Sequence, residues 1–127
     1  MYTLTLQRDL IGLHFLVGGD FGAENELHAH HYRVEISLEG ARLNRLGYLV
    51  DLDELDRELQ GLLGRFRNQT LNELPEFEGL NPSIEHFARI LCLGLQERID
   101  ASTLSSLTAT VWEDGFARAT YRVALEA

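Results

Sequence analysis

The chain has 127 residues, of which 45% are hydrophobic and 24% are charged, which suits one folded domain over residues 1–127 and leaves no room for a second core. Twenty acidic against eleven basic side chains give a net charge of −9, which disfavours a nucleic acid as partner. The longest apolar run, residues 10–19, is interrupted by His14 and falls short of the roughly 20 residues that a membrane-spanning helix needs.

The chain begins with a strand-like segment. Residues 2–6 and 11–17 carry β-branched and aromatic side chains in a broken alternation, which predicts a long strand with a bend near Arg8-Asp9. The first residues hold no basic cluster, and no small-residue cleavage site follows an apolar core, so this start is unlike an export signal. We therefore expect a cytoplasmic protein without a membrane span.

The second predicted strand, residues 28–38, alternates regularly between apolar and polar positions. Alternate residues of a strand lie on the same face, so one face carries His28, His30, Tyr32, Val34, Ile36 and Leu38. The opposite face carries His31, Arg33 and Glu35. This pattern is typical of a half-buried strand.

Two amphipathic helices are predicted next. The first is preceded by the N-cap candidate Asp51 and has an apolar stripe of Leu52, Leu55, Leu59, Leu62, Leu63 and Phe66. The second starts at Asn81-Pro82, a cap followed by a proline suited to the first helical position, and its apolar face carries Ile84, Phe87, Ala88, Leu91 and Leu95. Its other side holds Ile90, Cys92 and Leu93, which indicates burial on both sides.

Residues 104–112 and 116–125 return to strand-like alternation around Asp114-Gly115, a favoured hairpin turn. The order ββααββ predicts an α+β fold, with a four-stranded antiparallel sheet and two helices on one face. The outer strands of such a sheet leave backbone groups unpaired, so we expect a homo-oligomer that forms through strand edges. The single cysteine, Cys92, excludes an intrachain disulfide and agrees with a reducing compartment.

Residues with metal-binding chemistry are concentrated near the start of the second strand. The two-residue spacing of His28 and His30 sends both imidazoles to one side, and His14 lies in the preceding strand. Three imidazoles with one open position are the usual arrangement of a catalytic zinc ion. A His-x-His pair on a strand is also commonly two hydrogen-bonded histidines, so the spacing alone leaves both interpretations open.

Five stretches resemble, in chain order, motifs of the 6-pyruvoyl- and 6-carboxytetrahydropterin synthases. Residues 10–16 are similar to Phe-x-x-x-His-x-Leu, and residues 24–30 are similar to Cys-x-x-x-His-Gly-His with alanine in place of glycine. Residues 47–52 resemble the Gly-(apolar)-x-x-Asp-(apolar) entry into the first helix. Residues 81–85 resemble the Asn-Pro-Thr-x-Glu helix start, and residues 111–113 resemble the Val-x-Glu-Thr hairpin.

The resemblance implies the tunnelling fold, in which the sheets of three subunits join into a barrel and two trimers stack into a hexamer with active sites at subunit boundaries. It also implies a zinc ion (Zn2+) held by His14, His28 and His30, and the substrate 7,8-dihydroneopterin triphosphate, whose side-chain hydroxyls the metal would bind and acidify. Glu113 would accept hydrogen bonds from the pterin, and Ser83 would add a hydroxyl contact. Without the resemblance, Glu113 is a strand-end carboxylate and Ser83 a helix cap.

The chain departs from this family at the catalytic residues. The position of the family's cysteine holds Glu24, and its Asp-His pair aligns with Arg67-Asn68, while Cys92 and His86 do not restore either group. Two hypotheses follow. Either Glu24 or Glu26 acts as the general base of a related cleavage or elimination at the pterin side chain, or the chain binds zinc and pterin without chemistry.

Two further questions stay open at the level of sequence. Arg67 could contact phosphate groups or be a solvated side chain, and the second interpretation is favoured because charged side chains are mostly exposed. The pathway that would receive the product, namely queuosine, biopterin or folate synthesis, is not determined by the residues present.

Overall fold

The computed structural model describes residues 1–125, and its elements follow the predicted order. The strands are β1 (Tyr2–His14), β2 (His28–Gly40), β3 (Ser106–Glu113) and β4 (Ala117–Ala124), and the helices are α1 (Leu52–Leu63) and α2 (Ile84–Gln96). All neighbouring strands are antiparallel, and the sheet order is β1-β2-β3-β4. The predicted α+β tunnelling fold is confirmed. Within this range, no helix combines the length and apolar character that crossing a membrane requires.

A single hydrophobic layer lies between one face of the sheet and the two helices. Helix α2 packs across β3 and β4, while α1 contacts β1 and α2. Phe87 of α2 sits at the centre of an aromatic cluster, with ring centroids 5.2 Å from Tyr32, 5.3 Å from Phe66 and 5.6 Å from Phe77. Tyr32 extends this cluster towards the ring of His30, whose centroid is 5.9 Å away. The core therefore supports one end of β2 with rigid aromatic packing.

Strand β1 is continuous through Arg8-Asp9, where the sequence predicts a bend. Its pairing with β2 runs in register over the whole strand. The Arg8 guanidinium turns towards the helices and donates to both carboxylate oxygens of Asp56, at 2.8 and 2.9 Å. Asp9 lies on the other face, 3.4 Å from the imidazole of His31. Because each charge meets a partner on its own face, the strand continues through the charged pair.

The N-cap of α2 is Ser83, so the prediction that Asn81 caps this helix is wrong. Ser83 Oγ accepts the backbone N–H of His86 at 3.1 Å. The Asn81 amide is used elsewhere, because it accepts the N–H of Val17 at 2.9 Å and donates to the Val17 carbonyl at 2.9 Å. The pattern Asn-Pro predicts a cap from neighbouring residues alone, so it does not show that the distant Val17 backbone binds the Asn81 side chain instead.

The predicted N-cap of α1 is confirmed, since the Asp51 carboxylate accepts the N–H groups of Asp53 at 3.0 Å and Glu54 at 3.3 Å. We expect Asp51→Ala to lower the free energy of unfolding by about 1 kcal/mol, because two helical N–H groups lose their acceptor. Asp51→Asn should cost only a few tenths of that, since asparagine caps about equally well. Urea denaturation measures both values, and equal losses in the two variants would contradict the capping role.

The predictions for the β3–β4 turn and for Cys92 are also confirmed. Asp114 and Gly115 have φ angles of 54° and 67°, the left-handed pair that a type I′ hairpin turn requires. Cys92 is fully buried on α2, and burial raises the pKa of its thiol. This cysteine is therefore an unreactive core residue.

Candidate metal centre

Three histidines meet where β1 ends and β2 begins. His14, the last residue of β1, pairs directly with His28, the first residue of β2. His30 lies two residues further along the same face of β2. The ring centroids of His28 and His30 are each 4.6 Å from that of His14, and 4.7 Å from each other. Antiparallel pairing therefore brings together side chains from both strands.

Each of the three imidazoles turns its Nε2 inwards, because its Nδ1 is bonded to an acceptor. The acceptors are the Pro82 carbonyl for His14 at 3.0 Å, the Glu26 carbonyl for His28 at 2.6 Å, and Asp114 Oδ2 for His30 at 2.5 Å. Carbonyl and ionised carboxylate oxygens only accept hydrogen bonds, so each Nδ1 carries the proton. The three Nε2 atoms then face one another and can bind a metal ion once each carries a lone pair.

The inward-facing nitrogen atoms lie close together, and one of them has no hydrogen-bond partner among the described residues. His28 Nε2 and His30 Nε2 are 2.9 Å apart, and His14 Nε2 is buried with no hydrogen-bond partner among residues 1–125. A buried, unpartnered polar atom costs about 1–3 kcal/mol, and a cation shared by the three lone pairs removes that cost. Burial, together with the rings of His30 and His28, lowers the pKa of His14 to about 4, which keeps it neutral at physiological pH. The group fits a divalent metal ion.

Glu24 reaches the histidine group from a single turn of 3-10 helix at Gly22–Asn25. Its Oε2 lies 2.8 Å from His28 Nε2 and 4.0 Å from Nε2 of both His14 and His30. These four residues form one group of possible metal ligands. The Glu24 side chain is 49% exposed, so its carboxylate is accessible from solvent.

Glu26, the other candidate base, has a different position. Its backbone carbonyl accepts from His28 Nδ1, while the residue itself is exposed and is not part of the group of possible ligands. The structure therefore separates two glutamates that the sequence treats alike. Glu24 faces the histidines, and Glu26 orients one of them through its backbone.

Asparagine side chains fix the segment between β1 and β2, a role that the sequence did not reveal. Asn72 accepts the N–H of Phe15 at 3.0 Å and donates to the Phe15 carbonyl at 2.8 Å. Asn25 donates to the carbonyls of Leu16 and Gly19 at 2.9 and 3.0 Å. With the two Asn81 bonds to Val17, these amides replace the strand partner that this segment lacks. They hold the loop that carries Glu24 against the histidine group.

The β3–β4 hairpin places two carboxylates beside His30. Glu113 ends β3, and its Oε1 lies 3.9 Å from His30 Nε2. Burial raises the pKa of Glu113, and the attraction of His30 offsets this only in part. Although partial burial opposes ionisation of Asp114, hydrogen bonds from His30 and from the His31 N–H hold the pKa of its carboxyl group below the ordinary value. Sequence reasoning used Asp114 only as a turn residue and missed its contact with His30.

Several residues considered from the sequence lie elsewhere. The Arg67 guanidinium donates to the Asp9 carbonyl at 2.8 Å and to the Gln60 side chain at 3.2 Å, so it ties the end of α1 to β1. His31 lies on the opposite face of the sheet from His30. His86 Nδ1 bonds the Asn81 carbonyl at 2.8 Å, at the start of α2. All three lie outside the group formed by His14, Glu24, His28 and His30.

Comparisons with known proteins identify the family and the fold of the chain. The 6-pyruvoyl tetrahydropterin synthase family model matches residues 3–124. The Caenorhabditis elegans 6-pyruvoyl tetrahydropterin synthase has a TM-score of 0.82 at 22% identity, with 98% of each chain covered. A Plasmodium vivax 6-pyruvoyltetrahydropterin synthase, in which alanine replaces a catalytic glutamate, has a TM-score of 0.80 at 18% identity, again with 98% of each chain covered.

A more distant likeness is to a guanine-bound dihydroneopterin aldolase of Burkholderia thailendensis, with a TM-score of 0.51 at 9% identity over 99% of this chain and 91% of that one. No curated protein sequence matches the chain significantly. At these identities, the solved structures establish likeness of fold. The family model spans almost the whole sequence, and on that ground the chain belongs to the 6-pyruvoyl tetrahydropterin synthase family.

Proposed function

We propose that this protein is a zinc-dependent lyase that acts on 7,8-dihydroneopterin triphosphate or a related pterin and cleaves or eliminates at its side chain. The observation that supports this proposal best is that two carboxylates lie within 4.0 Å of the inward-facing Nε2 atom of His30. Glu24 Oε2 and Glu113 Oε1 lie 4.0 and 3.9 Å from His30 Nε2. Membership of a pterin synthase family supports the substrate class.

His14, His28 and His30 would hold the zinc ion through Nε2. Zinc, when bound, supplies Lewis acidity towards hydroxyl groups of the pterin side chain. The protein's contribution is orientation, since backbone carbonyls fix the rings of His14 and His28 and a carboxylate fixes that of His30. Three protein ligands would leave coordination positions for a substrate.

Glu24 is the proposed general base, in preference to Glu26. Its carboxylate faces the histidine group and is half exposed, so it can take a proton from a substrate bound there. It occupies the position of the family's cysteine, and the Plasmodium vivax enzyme is described with a glutamate as a catalytic residue. A catalytic glutamate therefore has a precedent in a protein of similar fold.

Glu113 is the proposed anchor of the pterin ring. A carboxylate matches the amino group and the adjacent ring N–H of a pterin, because it accepts two parallel hydrogen bonds. Glu113 ends β3 beside the histidine group, so a pterin ring that it bound would lie next to the three imidazoles. Ser83 Oγ accepts the His86 N–H and keeps its own proton, which we propose it donates to the substrate.

Glu113→Gln is expected to weaken pterin binding by about ten- to a hundredfold and to leave zinc binding unchanged, because one charge-assisted acceptor is lost. Fluorescence titration of the zinc-loaded protein with a dihydropterin measures the change. Glu85→Gln is the matched control, since Glu85 is an exposed carboxylate on the first turn of α2. Equal pterin affinities for Glu113→Gln and the wild type would contradict the assignment.

The reaction itself is tested by incubating zinc-loaded protein with 7,8-dihydroneopterin triphosphate and following the release of triphosphate and of an aldehyde. Release of either product, dependent on zinc, supports the lyase. Pterin binding without any product would instead favour the alternative, a catalytically altered zinc- and pterin-binding paralogue. Failure to bind both zinc and pterin would overturn the proposal.

We also propose a homo-oligomer, a trimer or a hexamer. The sheet order leaves the outer edge of β4, and that of β1 up to Leu10, without a strand partner among the described residues, while residues 68–70 bond to Ile11 and Leu13. Pairing of β1 with β4 of a neighbouring subunit would satisfy both edges and close a barrel. Sedimentation velocity measures the oligomer number, and a monomer at micromolar concentration would contradict this assembly.

A further inference from the structure

We propose that Asp114 is a positioning residue for His30, so that the β3–β4 turn sets the zinc affinity of the centre. The inference rests on the proposed function, because it requires the three histidines to bind zinc. Asp114 is not one of the three histidines that would bind the metal through Nε2. Asp114 contacts His30 on the side of the ring that faces away from the other two histidines.

Three hydrogen bonds fasten Asp114 to β2. Its Oδ2 accepts from His30 Nδ1 at 2.5 Å, and its Oδ1 accepts the His31 N–H at 3.0 Å. Its own N–H donates to the His31 carbonyl at 2.7 Å. Because both carboxylate oxygens are bonded to β2, the carboxylate has a fixed orientation. The imidazole of His30 is therefore held in one tautomer and one plane.

The turn makes this arrangement possible. Asp114 has a φ of 54°, and Gly115 follows with 67°. Aspartate tolerates this left-handed conformation better than most residues, since its short side chain can bond locally. In the strand register Tyr32 pairs with Glu113, so the next residue, Asp114, falls beside the backbone of His31.

His30 differs from the other two histidines in the charge of its partner. The Nδ1 atoms of His14 and His28 bond neutral backbone carbonyls, whereas that of His30 bonds a carboxylate. A carboxylate partner raises the basicity of the opposite ring nitrogen and fixes the ring for metal binding. His30 is therefore expected to be the strongest of the three ligands, and Asp114 the reason.

Two variants remove the carboxylate and keep the turn. Asp114→Gly introduces a residue that adopts positive φ freely, and Asp114→Asn keeps the shape of the aspartate side chain and its propensity for this turn. In the asparagine variant one side-chain atom becomes a donor, so the bonds to His30 Nδ1 and to the His31 N–H cannot both persist. We expect zinc affinity to fall by about ten- to a hundredfold in each, measured by competition with a chromophoric chelator.

A second readout distinguishes positioning from a loss of fold. Two-bond proton–nitrogen NMR spectra of the metal-free protein report which ring nitrogen of His30 is protonated, and we expect Nδ1–H to dominate in the wild type and a mixture in both variants. Asp9→Asn is the matched control. Asp9 lies 3.4 Å from His31 on the opposite face of the sheet, so its variant should leave zinc affinity and the His30 tautomer unchanged.

The outcomes separate the two proposals. Wild-type protein that binds zinc, with Asp114 variants of equal affinity and an unchanged His30 tautomer, would overturn the positioning role and leave the proposed function intact. Wild-type protein that does not bind zinc would overturn the proposed function and this inference together. Weaker zinc binding in both Asp114 variants, with Asp9→Asn unchanged, supports the positioning role.

Discussion

Replacing His14 with alanine is expected to abolish the stabilisation of the protein by zinc. A ligand that binds only the folded state stabilises it by about 2.7 kcal/mol at a hundred times its dissociation constant. Structural zinc sites of four ligands bind with about 10–16 kcal/mol, so losing one of three should cost on the order of 3 kcal/mol, or more than about a hundredfold in affinity. The zinc-dependent shift in melting temperature measures the effect.

The metal-free proteins provide a second comparison. His14 Nε2 has no hydrogen-bond partner among residues 1–125. Removing this unfavourable buried group should offset part of the free energy of unfolding that His14→Ala loses with the packing of the ring. His31→Ala is the control, because His31 is exposed on the face of β2 opposite His30. A zinc-dependent shift that persists in His14→Ala, or that disappears in His31→Ala, would show that the metal binds elsewhere.

Glu24→Gln is expected to lower turnover by about a hundred- to ten-thousandfold, the usual contribution of a general base. Glutamine keeps the shape of the side chain but does not take up a proton near neutral pH. Zinc and pterin binding should persist, since three histidines and Glu113 remain. Steady-state release of triphosphate, measured with zinc in excess, gives the ratio of turnover numbers.

Glu26→Gln is the matched control for this variant. Its carboxylate is exposed and outside the histidine group, and its backbone carbonyl, which orients His28, is unaffected by the substitution. Turnover should therefore stay close to the wild-type value. If Glu26→Gln were inactive and Glu24→Gln active, the base would be Glu26. If Glu24→Gln lost zinc as well as activity, Glu24 would be a ligand rather than a base.

Much of the fold could be predicted because its signals are local. Alternation along β2 depends only on the period of a strand, and the capping of α1 by Asp51 involves residues two and three positions away. The same locality explains the prediction of the Asp114-Gly115 turn, where both residues adopt positive φ. The prediction that Asn81 caps α2 is wrong because of a distant contact. The Asn81 side chain bonds to the backbone of Val17, which is 64 residues away in sequence.

That His28 and His30 share a face of one strand follows from their spacing, because residues two positions apart lie on the same side of any strand. Which residues surround them depends on how the chain folds. The pairing of His14 with His28 depends on strand register, and the contact between His30 and Asp114 joins residues 84 positions apart. Register arises from packing of the whole sheet against its helices, so the orientation of each imidazole, and which of Glu24 and Glu26 faces the histidines, could not be obtained from spacing.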